Sequence, residues 1–142
     1  MVLNDVGAWH DYVMTDVSRG WPCNGKFNER QALLYNIALE TSNHMFSLIK
    51  PGMPMKDVDG ESHRYCAQLL KDARVLDDVG NIGKYMWHGG AHHVGFDVHD
   101  AVETPETIAP QHGVLRGHRH LPRGVGHLAS GWRTTALSPR AL

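Results

Sequence analysis

The apolar periodicity of this chain changes twice, and each change limits what the residues on either side can build. Over the first twenty residues it has period two. Leu3, Asp5 and Gly7 alternate with Val2, Asn4 and Val6, and Tyr12 to Trp21 is rich in aromatic and β-branched residues. That pattern predicts two strands pairing around a polar turn. The run "PCNGKFN" is turn chemistry, and Asn28 with Gln31 predicts an N-cap pair that starts a helix. The helix should run from Glu29 to Ile49, with Leu33, Leu34, Ile37, Met45, Leu48 and Ile49 on its core face and "KPG" stopping it. A second helix is predicted across Gly60 to Leu76, burying Tyr65, Cys66, Leu69, Leu70, Ala73 and Leu76. Both stripes read as core. From Gln111 onward neither period survives: all five lysines lie at or before Lys84, and no acidic residue follows Glu106. The expectation is an α/β domain over residues 1–110, an antiparallel sheet with packed helices, followed by an unstructured tail over 111–142.

At 142 residues the chain has room for one domain with a core, not two ordinary ones. A formal net charge of -1 gives no reason to expect a nucleic-acid or membrane partner. No apolar run approaches a membrane span, and the first residues lack the basic-then-apolar order of a signal peptide. Cys23 and Cys66 have no metal-type spacing and are too few for a disulfide scaffold, so a reducing, cytoplasmic location is expected.

The chemistry concentrates in "HGGAHHVGFDVHD", residues 88 to 100, with four histidines and two aspartates. His88 and His92 flank two glycines, so the backbone there can bend sharply and bring an imidazole onto an ion. His99 follows on "GFDVHD", whose alternation suggests a strand. Asp5 and Asp16 stand eleven positions apart on the two predicted strands, and a suitable register would put both carboxylates on one face. Like charges there repel unless a cation lies between them. Two aspartates near a turn more often simply face solvent. Histidine with hard carboxylates suits zinc, manganese, cobalt or iron rather than calcium or magnesium. His93 and His10 read as packing or surface residues, and Asp97 and Asp100 as caps or orienters of their neighbours.

"VLNDVGAWHDYVMTDVSRGWPCNGKF" followed, after two helices, by "HGGAHHVGFDVHD" resembles the catalytic domain of aminopeptidase P and prolidase. These are the pita-bread dinuclear metallopeptidases, relatives of methionine aminopeptidase. The resemblance covers about Met1 to Pro110 and implies that these residues are the C-terminal half of such a domain. It implies two divalent ions, commonly manganese with zinc or cobalt as alternatives, and a peptide substrate cut next to proline. It implies that Asp5 binds one ion, Asp16 bridges both and His92 binds the second. His88 and His99 would line the substrate side, hydrogen-bonding the peptide and assisting proton transfer.

The chain also departs from that family. The family completes its site with two glutamates, one after a "PGMVFTVEPGIY"-like strand and one in an R-x-E-D strand, and neither motif is present. An N-terminal half of the fold, with a further histidine, precedes the first metal aspartate in the family; here Met1 lies four residues before Asp5. Reading the codons from His112 one nucleotide later permits "MVFCVDIGIY", close to the first missing strand. The tail therefore reads as an out-of-frame or mis-spliced translation, against a rival reading as a native Arg/His/Gly tail for anionic partners. The expectation is a truncated, catalytically incompetent chain of the family. A non-catalytic interaction module, a creatinase-like metal-independent hydrolase and a non-functional gene product stay open beside it.

Overall fold

A computed structural model of the chain describes residues 1–101 and 107–108. The expectations placed on 111–142, the tail and its reading frame, lie outside the described residues. The N-terminal strands form one long hairpin interrupted in the middle. β1 (Val2–Val6) pairs with β4 (Val17–Trp21), and beyond the interruption β2 (Trp9–His10) pairs with β3 (Val13–Met14). Both ladders are antiparallel and keep one register, from Val2 opposite Trp21 to His10 opposite Val13. At the interruption Thr15 takes over the pairing: its N–H donates to the Ala8 carbonyl at 2.9 Å, and its Oγ1 accepts from the Ala8 N–H at 2.8 Å. The hairpin tip is Asp11–Tyr12, with φ of 48° and 65°. Two consecutive left-handed residues match the right-handed twist of the strands, as in a type I′ turn, though neither is the glycine or asparagine that tolerates it best.

The first helix, α1, spans Glu29–Leu48, within one residue of the predicted end. Its start is local chemistry. Asn28 Oδ1 accepts from the Gln31 N–H at 2.8 Å while Gln31 Oε1 accepts from the Asn28 N–H at 3.0 Å, the reciprocal capping box the sequence predicts. The second helix, α2, spans Met55–Asp72, so it starts five residues before the predicted Gly60 and ends before Leu76. Pro54 opens it without a side-chain cap, and Gly60 sits inside it rather than at its mouth. Its C-terminus closes through a Schellman arrangement. Arg74 is left-handed at φ 57°, its N–H donates to Lys71, and the Val75 N–H donates to Leu70 at 2.9 Å. Leu76 is buried just past this turn, not within the helix. A 3-10 turn, Val79–Lys84, follows.

α1 packs on α2 through two apolar clusters. One holds Ile37, Cys66, Ala67, Leu70 and Leu76, with Leu34, Leu69, Ala73 and Met86 against it. The other holds Met45, Met55, Val58 and Ile108, with Ile49 and Ala91 against it. Leu33 and Leu48, expected on the core face, lie at its margin and are exposed. Tyr65 is only half-buried because its hydroxyl reaches out between the helices to Glu40 Oε1 at 3.1 Å.

Candidate metal centre

The hairpin register places Asp5 within β1 and Asp16 just before β4. Asp5 lies opposite Ser18, and its Oδ1 accepts from Ser18 Oγ at 2.9 Å. Asp16 precedes Ser18 by two residues, so continuing the two-residue period past the start of β4 would set it diagonally from Asp5. Asp5 is exposed and Asp16 half-buried.

The histidine segment reaches the hairpin because it is pinned at two points. Met14 at the end of β3 donates its N–H to the Gly95 carbonyl at 2.8 Å. Asp100 N–H donates back to the His93 carbonyl at 3.1 Å, and the Gly95 N–H to Asp97 at 3.0 Å. Residues 93–100 are therefore a loop folded on itself, not the strand the "GFDVHD" alternation suggested. The alternation failed because Phe96 and Val98 point outward and are exposed, so it does not mark a buried face. A Cβ at Gly95 would collide with the Asp100 carboxylate, which explains the glycine and gives Asp100 an orienting role. His93 is a packing residue, 5% exposed, and His10 lies at the surface beside Asp11.

His92 Nε2 lies 3.1 Å from Asp16 Oδ2, and both side chains are largely buried. His92 Nδ1 faces the His93 carbonyl at 3.0 Å, the arrangement that fixes the Nδ1–H tautomer and turns the Nε2 lone pair forward. A lone pair beside a carboxylate oxygen makes a donor pair that a shared cation would suit. The His99 ring stacks on His92 with centroids 4.0 Å apart and planes 7° apart. His88 is not brought to this group. It is exposed, its Nδ1 lies 2.8 Å from the Gly89 carbonyl, and it meets the Trp87 ring edge-on at 5.4 Å.

Of the five candidates, Asp16, His92 and His99 are thus linked in contact, Asp5 bonds Ser18 on the neighbouring hairpin, and His88 stands apart. The donor chemistry, hard oxygen beside imidazole nitrogen, fits a divalent transition ion. The donor count does not: among the described residues no set of three or more His, Cys, Asp or Glu side chains stands in metal-holding geometry. Sequence reasoning also missed Asp59 and Ser62 of α2, which meet the glycine pair between His88 and His92, and His63, which faces the Met86 carbonyl just before it. The one signal for them was polar residues at i, i+3 and i+4 on a helix face that should pack.

Residues 1–127 match metallopeptidase family M24. The chain is 31% identical over 121 residues to human Xaa-Pro aminopeptidase 3, covering 81% of this chain and 24% of that one. A Bacillus anthracis protein assigned as an aminopeptidase P has the same fold over 75% of this chain and 26% of its own, with TM-score 0.71 and 31% identity. The zinc-substituted aminopeptidase P of Escherichia coli, solved with product, matches 71% of this chain and 25% of its own, with TM-score 0.62 and 30% identity. The chain spans about a quarter of the length of the curated relatives it matches. The pita-bread fold expected from the hairpin and the histidine loop is therefore the observed one, in part. The matched residues include both blocks that meet at Asp16 and His92, and the chain belongs to metallopeptidase family M24.

Proposed function

We propose that this chain contributes part of a dinuclear centre for hydrolysing peptide bonds next to proline, and that residues 1–142 alone do not complete it. The observation that carries this reading is the 3.1 Å approach of His92 Nε2 to Asp16 with the tautomer set by the His93 carbonyl. Asp16 would bridge two ions, Asp5 would hold one and His92 the other, manganese being the first candidate and zinc or cobalt the alternatives. Divalent ions bound there supply Lewis acidity at the scissile carbonyl and an activated water. The chain's own residues would supply a part of the rest. His92 and Asp16 hold their geometry before any ligand arrives, which spares reorganisation. His99, exposed and stacked on His92, offers a ring edge to a peptide group. His88, with Nδ1 engaged by the Gly89 carbonyl, leaves Nε2 to accept or return a proton.

The shortage of donors among the described residues also favours a second reading, a non-catalytic interaction module of the same fold. The two free thiols, exposed Cys23 and buried Cys66, support a reducing, cytoplasmic setting. The test is release of the N-terminal residue from a Xaa-Pro dipeptide or tripeptide with manganese added. We expect no measurable turnover from residues 1–142, since losing a single electrostatic stabiliser already costs about 100- to 1000-fold. Metal-dependent turnover that disappears in His92→Ala would overturn the incompetence and keep the peptidase chemistry.

A further inference from the structure

The loop that carries His88 and His92 is held from behind by one face of α2. Asp59, Ser62 and His63 stand at i, i+3 and i+4, so all three lie on the same side of the helix. Asp59 Oδ1 accepts from the Gly90 N–H at 2.8 Å, thirty-one residues away in the chain. Ser62 is 1% exposed, and a Cβ on Gly90 would lie 2.6 Å from the Ser62 Cβ, so the loop backbone sits directly on the helix. A Cβ on Gly89 would lie 3.0 Å from both Asp59 carboxylate oxygens. The His63 ring stands between two carbonyls, Asp59 O at 2.9 Å from Nδ1 and Met86 O at 3.1 Å from Nε2. In the tautomer with its proton on Nε2 it donates to Met86 and ties α2 to the residue where the loop leaves the first apolar cluster. Ala91, at the far end, packs against the second cluster. Between these two apolar anchors the glycine pair has no side chain of its own to hold it; Asp59 grips it at Gly90, and His63 holds the segment just before it at Met86.

From this placement we infer that Asp59 and His63 are positioning residues for the histidine loop. They fix the backbone on which His92 meets Asp16 and stacks with His99. The inference rests on the metal-centre reading only for its purpose; the positioning itself is a property of the ion-free chain.

The test uses the full chain, with Asp59→Ala and His63→Ala set against Asp59→Asn and His63→Gln, which keep an acceptor or a donor. NMR of the His92 and His99 ring protons reads their mutual ring current without metal, and zinc titration reads Nε2 of His92. Both alanine variants should move the two rings' signals toward exposed-imidazole values and weaken zinc binding about tenfold or more. The Asn and Gln variants should return both readouts most of the way, with the helical circular dichroism unchanged. Ring signals left in place by the alanine variants would overturn the inference, as would conservative variants that do as much harm as alanine. If an alanine variant fails to fold, the Gly90 amide of the unmutated chain decides. Slow hydrogen exchange there is expected, and exchange at the solvent rate contradicts the clamp. A parent whose His92 ignores zinc would sink the metal reading, while the ion-free ring signals would still decide the positioning.

Discussion

Replacing Gly90 by alanine tests how tightly α2 holds the histidine loop. The new Cβ would stand 2.6 Å from the Ser62 Cβ, whereas ordinary contact lies between 3.4 and 4 Å. Helix and loop must therefore separate by about 1 Å, and Ser62, 1% exposed inside α2, cannot swing away. Overpacking of this kind costs about 1–3 kcal/mol. The separation also stretches the Gly90 N–H bond to Asp59, a hydrogen bond to a charged group worth about 1.5–3 kcal/mol when intact. We expect Gly90→Ala to lose about 2 kcal/mol in urea denaturation followed at 222 nm. Ser62→Gly alone should cost about 1 kcal/mol, the penalty for glycine inside a helix. The double variant removes the atoms the new methyl meets, so its loss should fall short of the sum by at least about 1 kcal/mol. Strict additivity would refute the packing argument, because the two sites would then not share the contact on which the cost depends.

Two further perturbations follow from the helix pair. Glu61 is held at about 2, below the ordinary 4.5, first by its hydrogen bonds from Arg64 and next by the His44 ring at 2.8 Å. A carboxyl depressed on folding stabilises the fold above its unfolded value, and that contribution is lost as pH falls from 4.5 through about 2. The shift is worth at most about 3 kcal/mol, and because Arg64 is 64% exposed, solvent screening reduces it to about 1 kcal/mol. Glu61→Gln should therefore lose about 1 kcal/mol at pH 7 and flatten the stability profile over that acid window. Asn28→Ala, which removes half of the capping box, should cost about 1 kcal/mol by the same denaturation measurement without altering the His92 and His99 signals.

What the sequence made legible depended on how local the determining chemistry was. The start of α1 is set by two side chains three residues apart, and reading them placed it correctly. The start of α2 was missed because Pro54 caps it with no side chain and Gly60 reads as a breaker, although burial of Met55 and Val58 against Met45 carries the helix through. The pairing of the two strands that carry Asp5 and lead from Asp16 followed from the period of two. The turn that sets the register did not, because Asp11–Tyr12 lacks the usual glycine signal. The loop over 93–100 was the clearest failure. Its conformation is fixed by bonds to Met14 and between its own ends, none of which alternation can reveal. Asp59 and His63 escaped notice for a related reason: their partners are backbone groups far along the chain.

The direct measurement of the central claim is calorimetric titration of residues 1–142 with manganese or zinc, for the parent and for Asp16→Ala and His92→Ala. Asp16 and His92 supply two converging donors, and lost second-sphere support alone costs a metal site about 10–100-fold in affinity. The account predicts weak binding, without a tight two-ion event, that either substitution abolishes. Nanomolar uptake of two ions per chain would contradict the incompleteness of the site, and weak uptake indifferent to Asp16→Ala would contradict its location.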